Sequence, residues 1–253
     1  ALIAPWRDNI NIQSKVLIGT PFLEVIREVL RNDYDLVIKA ADSEGRLKNE
    51  IGNNDMQLLR KCPSLVWLVK PESPKSYRRI LATVDVDDYA PQEELKTRRS
   101  LTHNVIDMAS SLALSEFAEL HIAHAWEATG ESELRSGFIS ISEQEILAYI
   151  EKVKQRHSQG LNKIMDGVNS KLGRNVFEYL KPQSHLLKGE PHRVIPALAD
   201  KIEADIVVMG TVARTGISGF FMGNTAERIL SRLDCSVLAV KPAGFVSPVT
   251  LNK

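Results

Sequence analysis

The chain has 253 residues, of which 43% are hydrophobic, and its 32 basic side chains balance its 32 acidic ones. This length is sufficient for one large domain or for two of ordinary size, each with its own core. The balanced charge excludes a surplus of one sign that would favour nucleic acid or an anionic membrane as a partner, and the sequence holds no long uninterrupted apolar run. Two cysteines, Cys62 and Cys235, are too few for a disulfide framework, so we expect a cytoplasmic protein.

The sequence aligns with itself. Residues 15–40 lie over residues 185–210 at a shift of 170, and residues 52–71 lie over residues 223–242 at a shift of 171. A shared pattern of Gly-x-Pro, an apolar run and Gly-Asn ending in Lys-Pro stays in register over both blocks. This repeat indicates two homologous domains.

The repeat divides the chain into four parts. We predict the C-terminal part of a first domain at 1–71, a linker at 72–78, a complete second domain at 79–242 and a tail at 243–253. The first copy holds counterparts of only the last three strands of the second, so its strand at 10–18 would have no neighbour. We therefore expect the natural chain to extend about 90 residues further upstream.

Strands and helices alternate along the second copy. In chain order the predicted elements are a strand at 79–86, a helix at 93–114, a strand at 119–126, a helix at 142–173, an extended stretch at 176–189, a helix at 192–204, a strand at 205–210, a helix at 224–233 and a strand at 236–242. Ser142 and Glu145 are spaced as a capping box, and Gly173 is placed to end the long helix. The alternation predicts an α/β fold of two tandem, doubly wound Rossmann-like domains with parallel sheets in the strand order 3-2-1-4-5.

A glycine-punctuated loop at 210–227, GTVARTGISGFFMGNTAE, lies between a predicted strand and a predicted helix. A loop at the carboxyl end of such a strand opens onto the crevice in which doubly wound folds bind ligands. The turn Gly223-Asn224-Thr225 begins the next helix, so its backbone N–H groups and the positive end of the helix dipole are expected to face an anion.

This loop resembles the G-x2-G-x9-G-[ST] signature of the universal stress protein family, and VDVDD at 84–88 resembles the VDGS opening of that family. The resemblance extends over residues 10–71 and 79–242 and is to members with tandem domains. It implies adenine nucleotide alpha hydrolase-like domains in a cytoplasmic, non-enzymatic protein of the stress response that forms dimers. In the ATP-binding subclass the nucleotide is held at this loop.

By this resemblance, ATP or a related nucleotide would lie in the second domain, with Mg²⁺ only as a companion of the nucleotide. The expected contact residues are Asp85, Ala125, Gly210, Val212, Ala213, Arg214, Gly223, Asn224 and Thr225. Asp85 would meet a ribose hydroxyl or a metal-bound phosphate, and Gly210 would let a ligand approach the backbone closely. Ala213 and Asn224 depart from the signature, and the equivalent stretch of the first copy, 39–54, lacks it, so we expect no phosphate loop there.

The apolar runs 66–69 and 237–240 end the two copies and would be edges of their sheets, which proteins cover or pair. Members of the resembled family pair these strands across a dimer. In a tandem chain the two copies can pair with each other, so we expect an intramolecular pseudo-dimer through the last strands. A homodimer of whole chains is a further option.

Other chemistry finds little support in the sequence. It contains neither G-x-S-x-G nor a Walker loop, and His121 and His124 on one strand point to opposite faces, so we assign no catalytic residue and no metal site. We interpret the chain as a regulatory protein with an unknown protein partner. Two alternatives stay open: a scaffold whose crevice is closed by Arg214 or Phe221, and a carrier or sensor of a phosphorylated or acylated metabolite, which the apolar run 220–222 suggests.

Overall fold

A computed structural model describes residues 11–42, 51–87, 91–136, 141–211 and 222–251, with only the backbone of Glu93. The helices are α1 (Pro21–Asn32), α2 (Asn53–Lys61), α3 (Gln92–Glu116), α4 (Glu131–Arg135), α5 (Glu143–Leu172), α6 (Arg174–Leu180), α7 (Pro191–Lys201) and α8 (Asn224–Leu230). The strands are β1 (Leu36–Ala40), β2 (Leu65–Val69), β3 (Arg79–Thr83), β4 (Glu119–Trp126), β5 (Gln183–Lys188), β6 (Ile206–Gly210) and β7 (Ser236–Val240). Within these ranges, no helix is both long and apolar enough to cross a membrane.

All seven strands belong to one sheet, in the order β1-β2-β7-β6-β3-β4-β5. The part from β7 to β5 reproduces the predicted 3-2-1-4-5 order, and every neighbouring pair is parallel except β2 with β7. The last strands of the two copies, β2 and β7, pair as expected, and their antiparallel contact joins the parallel strands of both copies into one sheet. The two copies share one sheet because their last strands, which would otherwise be open edges, pair with each other.

The register between β2 and β7 is reciprocal. Val66 pairs with Ala239, and Leu68 pairs with Val237. At the repeat shift of 171, Val66 corresponds to Val237 and Leu68 to Ala239. Exchanging the two copies therefore converts the first of these pairs into the second. This reciprocity is the pattern of a contact with two-fold symmetry.

The start of the first copy differs from the expectation of a strand. Residues 11–18 form no strand, and the side chains of Val16 and Ile18 are 87% and 90% exposed. Their counterpart in the second copy, β5, bonds to β4, and the described residues of the first copy include no strand equivalent to β4. Without that neighbour the backbone groups of an extended segment have no partner in a sheet.

The long helix α5 begins and ends as the sequence predicted. Both hydrogen bonds of the capping box are present between Ser142 and Glu145, and Gly173 ends the helix with a φ of 77°. The extended stretch expected from residue 176 was wrong in its first half, which belongs to α6. Apolar side chains at 176, 177 and 180 have helical spacing, and Leu180, the last residue of α6, is buried in the core.

Candidate functional site

A crevice opens at the carboxyl ends of β3, β4 and β6, where doubly wound folds bind ligands. It encloses about 410 Å³ and is bounded further by α3, α7 and the start of α8. Five of the residues predicted from the sequence line it: Asp85, Ala125, Gly210, Gly223 and Thr225. The structure thus brings together residues that are up to 140 positions apart in the chain.

The remaining predicted residues are not part of the described lining. Asn224 begins α8 and is exposed, but it does not line the crevice. Val212, Ala213 and Arg214 lie outside the described residues, as do Phe220 and Phe221. Met222, the described member of that apolar run, is 6% exposed and packs in the core beside α8.

Gly210 packs closely against α3. A Cβ atom at this position would lie 2.6 Å from Cδ2 and 2.9 Å from Cγ of Leu101 on α3. Such distances are too short for carbon atoms, so a larger residue at 210 requires the Leu101 side chain to move. Gly210 also lines the crevice, and its role in close approach of a ligand stays a prediction.

Asp85 and Arg98 are the charged side chains among the described lining residues. Arg98 Nη1 donates to Asp85 Oδ2 at 3.1 Å, and its Nη2 donates to Glu94 Oε1 at 2.6 Å. Burial disfavours the charged guanidinium, but the hydrogen bond to Glu94 and the charge of Asp85 outweigh it and raise the pKa of Arg98. Arg98 belongs to no recognisable sequence motif, and the packing of α3 on β3 places its charge at the crevice.

Two histidines form a buried pair in the wall of the crevice. His124 Nδ1 lies 3.1 Å from the carbonyl oxygen of Val84, and His124 Nε2 lies 2.9 Å from Nδ1 of His157. Because a carbonyl oxygen only accepts, His124 Nδ1 carries the hydrogen and His124 Nε2 accepts from His157. Burial lowers the pKa of both rings. The pair is neutral near pH 7 and links β4 to α5.

A second cavity of about 490 Å³ adjoins the crevice. It shares Asp85, His124 and Ala125 with the crevice. It adds the aromatic side chains of Trp126 and Tyr149 together with the charged side chains of Asp87, Glu127 and Arg156. The two cavities together give an extended space with a charged pair at its centre.

At the equivalent place in the first copy, charged side chains pair with one another. Asp55 on α2 is fully buried, its Oδ2 accepts the backbone N–H of Asp42 at 2.6 Å, and its Oδ1 lies 2.7 Å from Nζ of Lys39. Lys39 also pairs with Asp42. Burial works against the charge of Lys39, but hydrogen bonds to the two carboxylates raise its pKa. An internal carboxylate thus receives the backbone N–H that could otherwise meet an anion.

The second copy lacks this internal ion cluster. The repeat shifts of 170 and 171 make Met209 the counterpart of Lys39 and Ala226 the counterpart of Asp55. Both Met209 and Ala226 line the open crevice. Because these two side chains are uncharged and form no ion pair, they leave the crevice open to a ligand.

Two polar contacts connect the crevice of the second copy to α2 of the first. Arg60 Nε donates to Glu227 Oε1 on α8 at 2.6 Å. Lys241 Nζ donates to Oγ1 of Thr211 at 2.8 Å and also to the carbonyl oxygen of Leu59. Thr211 lines the crevice, so the second contact reaches from α2 to the ligand space.

The other titratable groups show no further centre. No group of three or more potential metal ligands occurs within the described ranges. His121 Nδ1 lies 3.0 Å from Nε2 of His185 on the neighbouring strand. Burial raises the pKa of Cys62 and brings that of Cys235 to about 12, which disfavours the reactive thiolate.

Comparisons with known proteins agree with the geometry. A sequence model of the universal stress protein family matches residues 76–241. The chain is 34% identical over 233 residues to universal stress protein E of Escherichia coli K12, covering 92% of this chain and 68% of that protein. It is 32% identical over 237 residues to a universal stress protein E homologue of Haemophilus influenzae, covering 93% and 71%.

Solved structures give the same picture. A crystal structure assigned as a universal stress protein of Pseudomonas aeruginosa UCBPP-PA14 superposes with a TM-score of 0.70 at 27% identity, over 95% of this chain and 76% of that one. A functionally unknown protein of Pseudomonas aeruginosa PAO1 superposes with a TM-score of 0.64 at 28% identity, over 90% and 69%.

Proposed function

Because the chain belongs to the universal stress protein family, we propose that it is a non-enzymatic binding protein of the stress response. Its second copy, residues 79–242, holds ATP or a related phosphate-bearing ligand in the crevice. Ligand occupancy alters the contacts of the protein with a regulatory partner. The protein works in the cytoplasm, as expected from its two cysteines without a disulfide framework.

The contrast between the two copies carries this proposal. In the first copy, Asp55 and Lys39 satisfy each other and the backbone where a ligand would lie. In the second, Ala226 and Met209 leave about 410 Å³ open. Because both of these side chains are uncharged, no internal ion pair competes with a ligand in the second copy.

The polar groups of the crevice suit a nucleotide. Arg98 provides a guanidinium, which pairs well with phosphate oxygens. Asp85 is 49% exposed in its side chain and can accept a ribose hydroxyl or meet a magnesium ion carried by the phosphates. The adjoining cavity at Trp126 and Tyr149 gives space for a planar group.

The same geometry argues against catalysis. Both nitrogens of His124 are engaged within the protein, one with Val84 and the other with His157. The outer nitrogen of His157, Nε2, lies 3.3 Å from Nη2 of Arg156. A general base must accept a proton from the attacking group, and these described histidines are committed to other partners.

The two copies form an intramolecular pseudo-dimer in this proposal, with a short linker at 72–78. The reciprocal register of β2 and β7 supports it, because equivalent residues exchange places across the contact.

Isothermal titration with ATP and Mg²⁺ tests the binding site. We expect the wild type to bind, and Ala226→Asp to weaken binding at least about tenfold, because it places a carboxylate in the crevice as Asp55 does in the first copy. Ala226→Ser, which adds only a hydroxyl, is the matched control and should bind within about threefold of the wild type. Absence of binding to the folded wild type would overturn the proposal, and so would equal binding by Ala226→Asp.

A further inference from the structure

A buried lysine lies directly behind the crevice. Lys241 follows the last residue of β7 and is only 7% exposed. Its amine donates to the hydroxyl of Thr211 at 2.8 Å, and Thr211 lines the crevice. We propose that Lys241 is the buried counter-charge for a phosphate-bearing ligand in the crevice, acting through Thr211. The inference rests on the proposed function and specifies its ligand as an anion.

The groups around the amine of Lys241 are neutral acceptors, an aromatic ring and a thiol. Leu59 of α2 offers a carbonyl oxygen, and the ring of Phe245 lies 4.9 Å from Nζ. The titratable group that acts on Lys241 is the thiol of Cys62, which directly follows α2. Further titratable residues line a cavity beside Lys241 without pairing with its amine in the described structure: Asp33, Tyr34, Asp35 and Asp107.

Lys241 therefore has neutral hydrogen-bond acceptors but no carboxylate as a partner among the described residues. A buried ammonium without a counter-ion is unfavourable, and burial lowers the pKa of Lys241 to about 7. Near neutral pH the amine is close to its midpoint, so a modest electrostatic change moves its protonation state. The arrival of a phosphate on the other side of Thr211 is such a change, since an opposite charge favours the protonated form.

Ligand binding and protonation are then linked. A ligand that raises the pKa of Lys241 takes up a proton when it binds near or above pH 7. By reciprocity, protonated Lys241 binds the anion more tightly. Affinity is highest below the pKa of the unliganded lysine and falls as the pH rises through the unliganded and then the liganded pKa. One unit of pKa shift corresponds to a tenfold change in affinity.

Lys70 provides a matched control within the same chain. It is the repeat counterpart of Lys241 at a shift of 171, directly follows β2 and is half-buried. Its backbone N–H donates to Ser236, a contact that a side-chain substitution keeps. Lys70 does not line the crevice of the second copy, so Lys70→Met removes an equivalent charge from a place without the proposed role.

The test is calorimetric titration with ADP between about pH 7.5 and about 9.5, above the range where the nucleotide phosphates titrate, in buffers of different ionisation enthalpy. We expect proton uptake on binding to the wild type and to Lys70→Met. For a shift of about one pKa unit from about 7, the affinity should fall about threefold across this range, because part of the tenfold change lies below it. Lys241→Met should bind about threefold more weakly at the lower pH and show no such pH dependence.

Two results separate the role of Lys241 from the proposed function. Binding of ADP to the wild type without proton uptake would overturn the role of Lys241 while leaving the proposed function intact. Failure of the wild type to bind would overturn the proposed function itself. Proton uptake is measured on the wild type, so its absence overturns the role of Lys241 even if Lys241→Met does not fold.

Discussion

Asp55 and Ala226 occupy equivalent positions and give opposite chemistry to the two copies. The carboxylate of Asp55 is buried against Lys39 and a backbone N–H, whereas the methyl group of Ala226 leaves the crevice open. These side chains add to a larger difference, since the described part of the first copy has no counterparts of β3, α3 and β4, which form walls of the crevice. At the same scale, Gly210 packs against Leu101, and Lys241 has no carboxylate partner among the described residues.

Gly210→Ala should destabilise the protein by about 1–3 kcal/mol, because the added methyl group overlaps Leu101 in a packed core. Chemical denaturation of the two proteins measures the difference. Gly167→Ala on α5 is the control, since a Cβ there meets nothing within 4 Å and the substitution should be neutral or slightly stabilising. Equal effects of both substitutions would show that Leu101 does not constrain position 210.

Lys241 also makes stability depend on pH. Its pKa is about 7 in the folded chain against 10.5 as the ordinary value, so the unfolded chain binds more protons between these two values. The contribution of Lys241 to the free energy of unfolding therefore rises with pH from about 7 to about 10.5 and is smallest below 7. Lys241→Met should remove this rise and stabilise the protein at pH 7 by a few kcal/mol at most. Denaturation curves give the free energy of unfolding of both proteins at each pH in this range. A difference between the two free energies that does not vary with pH would contradict the burial of a neutral amine.

At the scale of the elements, α5 shows how local sequence fixes a boundary. Ser142 and Glu145 close the capping box, and Gly173 with its positive φ ends the helix. Helix α6 shows the limit of that information, since its seven residues are helical because they pack on α5 and the core. Its length is too short for helix formation on propensity alone.

Ser142→Ala should cost about 1 kcal/mol, because the N–H of Glu145 loses its acceptor at the start of α5. Thermal or urea unfolding gives the value. Ser136→Ala lies just after α4 and has no capping box, so a smaller loss is expected there. A loss at Ser142 no larger than at Ser136 would mean that the cap does not stabilise α5.

Features of the fold that depend on local or repeated sequence patterns could be predicted. The alternation of strands and helices predicted the strand order, and the family resemblance together with the internal repeat predicted the pairing of the two last strands. Asp85, Ala125 and Thr225 were predicted at the crevice that they line. The contacts that distinguish the copies were not foreseen. Arg98 with Asp85, His124 with His157, and Lys241 with Leu59 join residues that are 13, 33 and 182 positions apart, and only the packed fold decides such meetings.

At the scale of the whole molecule, β2 and β7 make one sheet out of two copies. Among its described residues the first copy contributes β1 and β2 to this sheet, and Ile38 on β1 is 62% exposed while its counterpart Val208 is fully buried. The described part of the first copy therefore depends on the second for much of its burial. Helix α2 closes this contact through Arg60 and Glu227.

This dependence predicts shared hydrogen exchange. The amides of β2 and β7 that face each other should exchange through the same opening reaction, because neither strand can leave the sheet without breaking the ladder of the other. Exchange followed by mass spectrometry or NMR gives the rates. Exchange of β2 orders of magnitude faster than that of β7 would show that the two copies separate before either unfolds.

We propose that the ligand binds in the crevice of the second copy and not in the first copy. A crystal structure with a saturating non-hydrolysable ATP analogue distinguishes the two places. We expect phosphates beside Thr225 and Arg98, with Asp55 and Lys39 still paired in the first copy. Phosphates bound at Asp55 instead, or a crevice without the analogue at saturation, would contradict it.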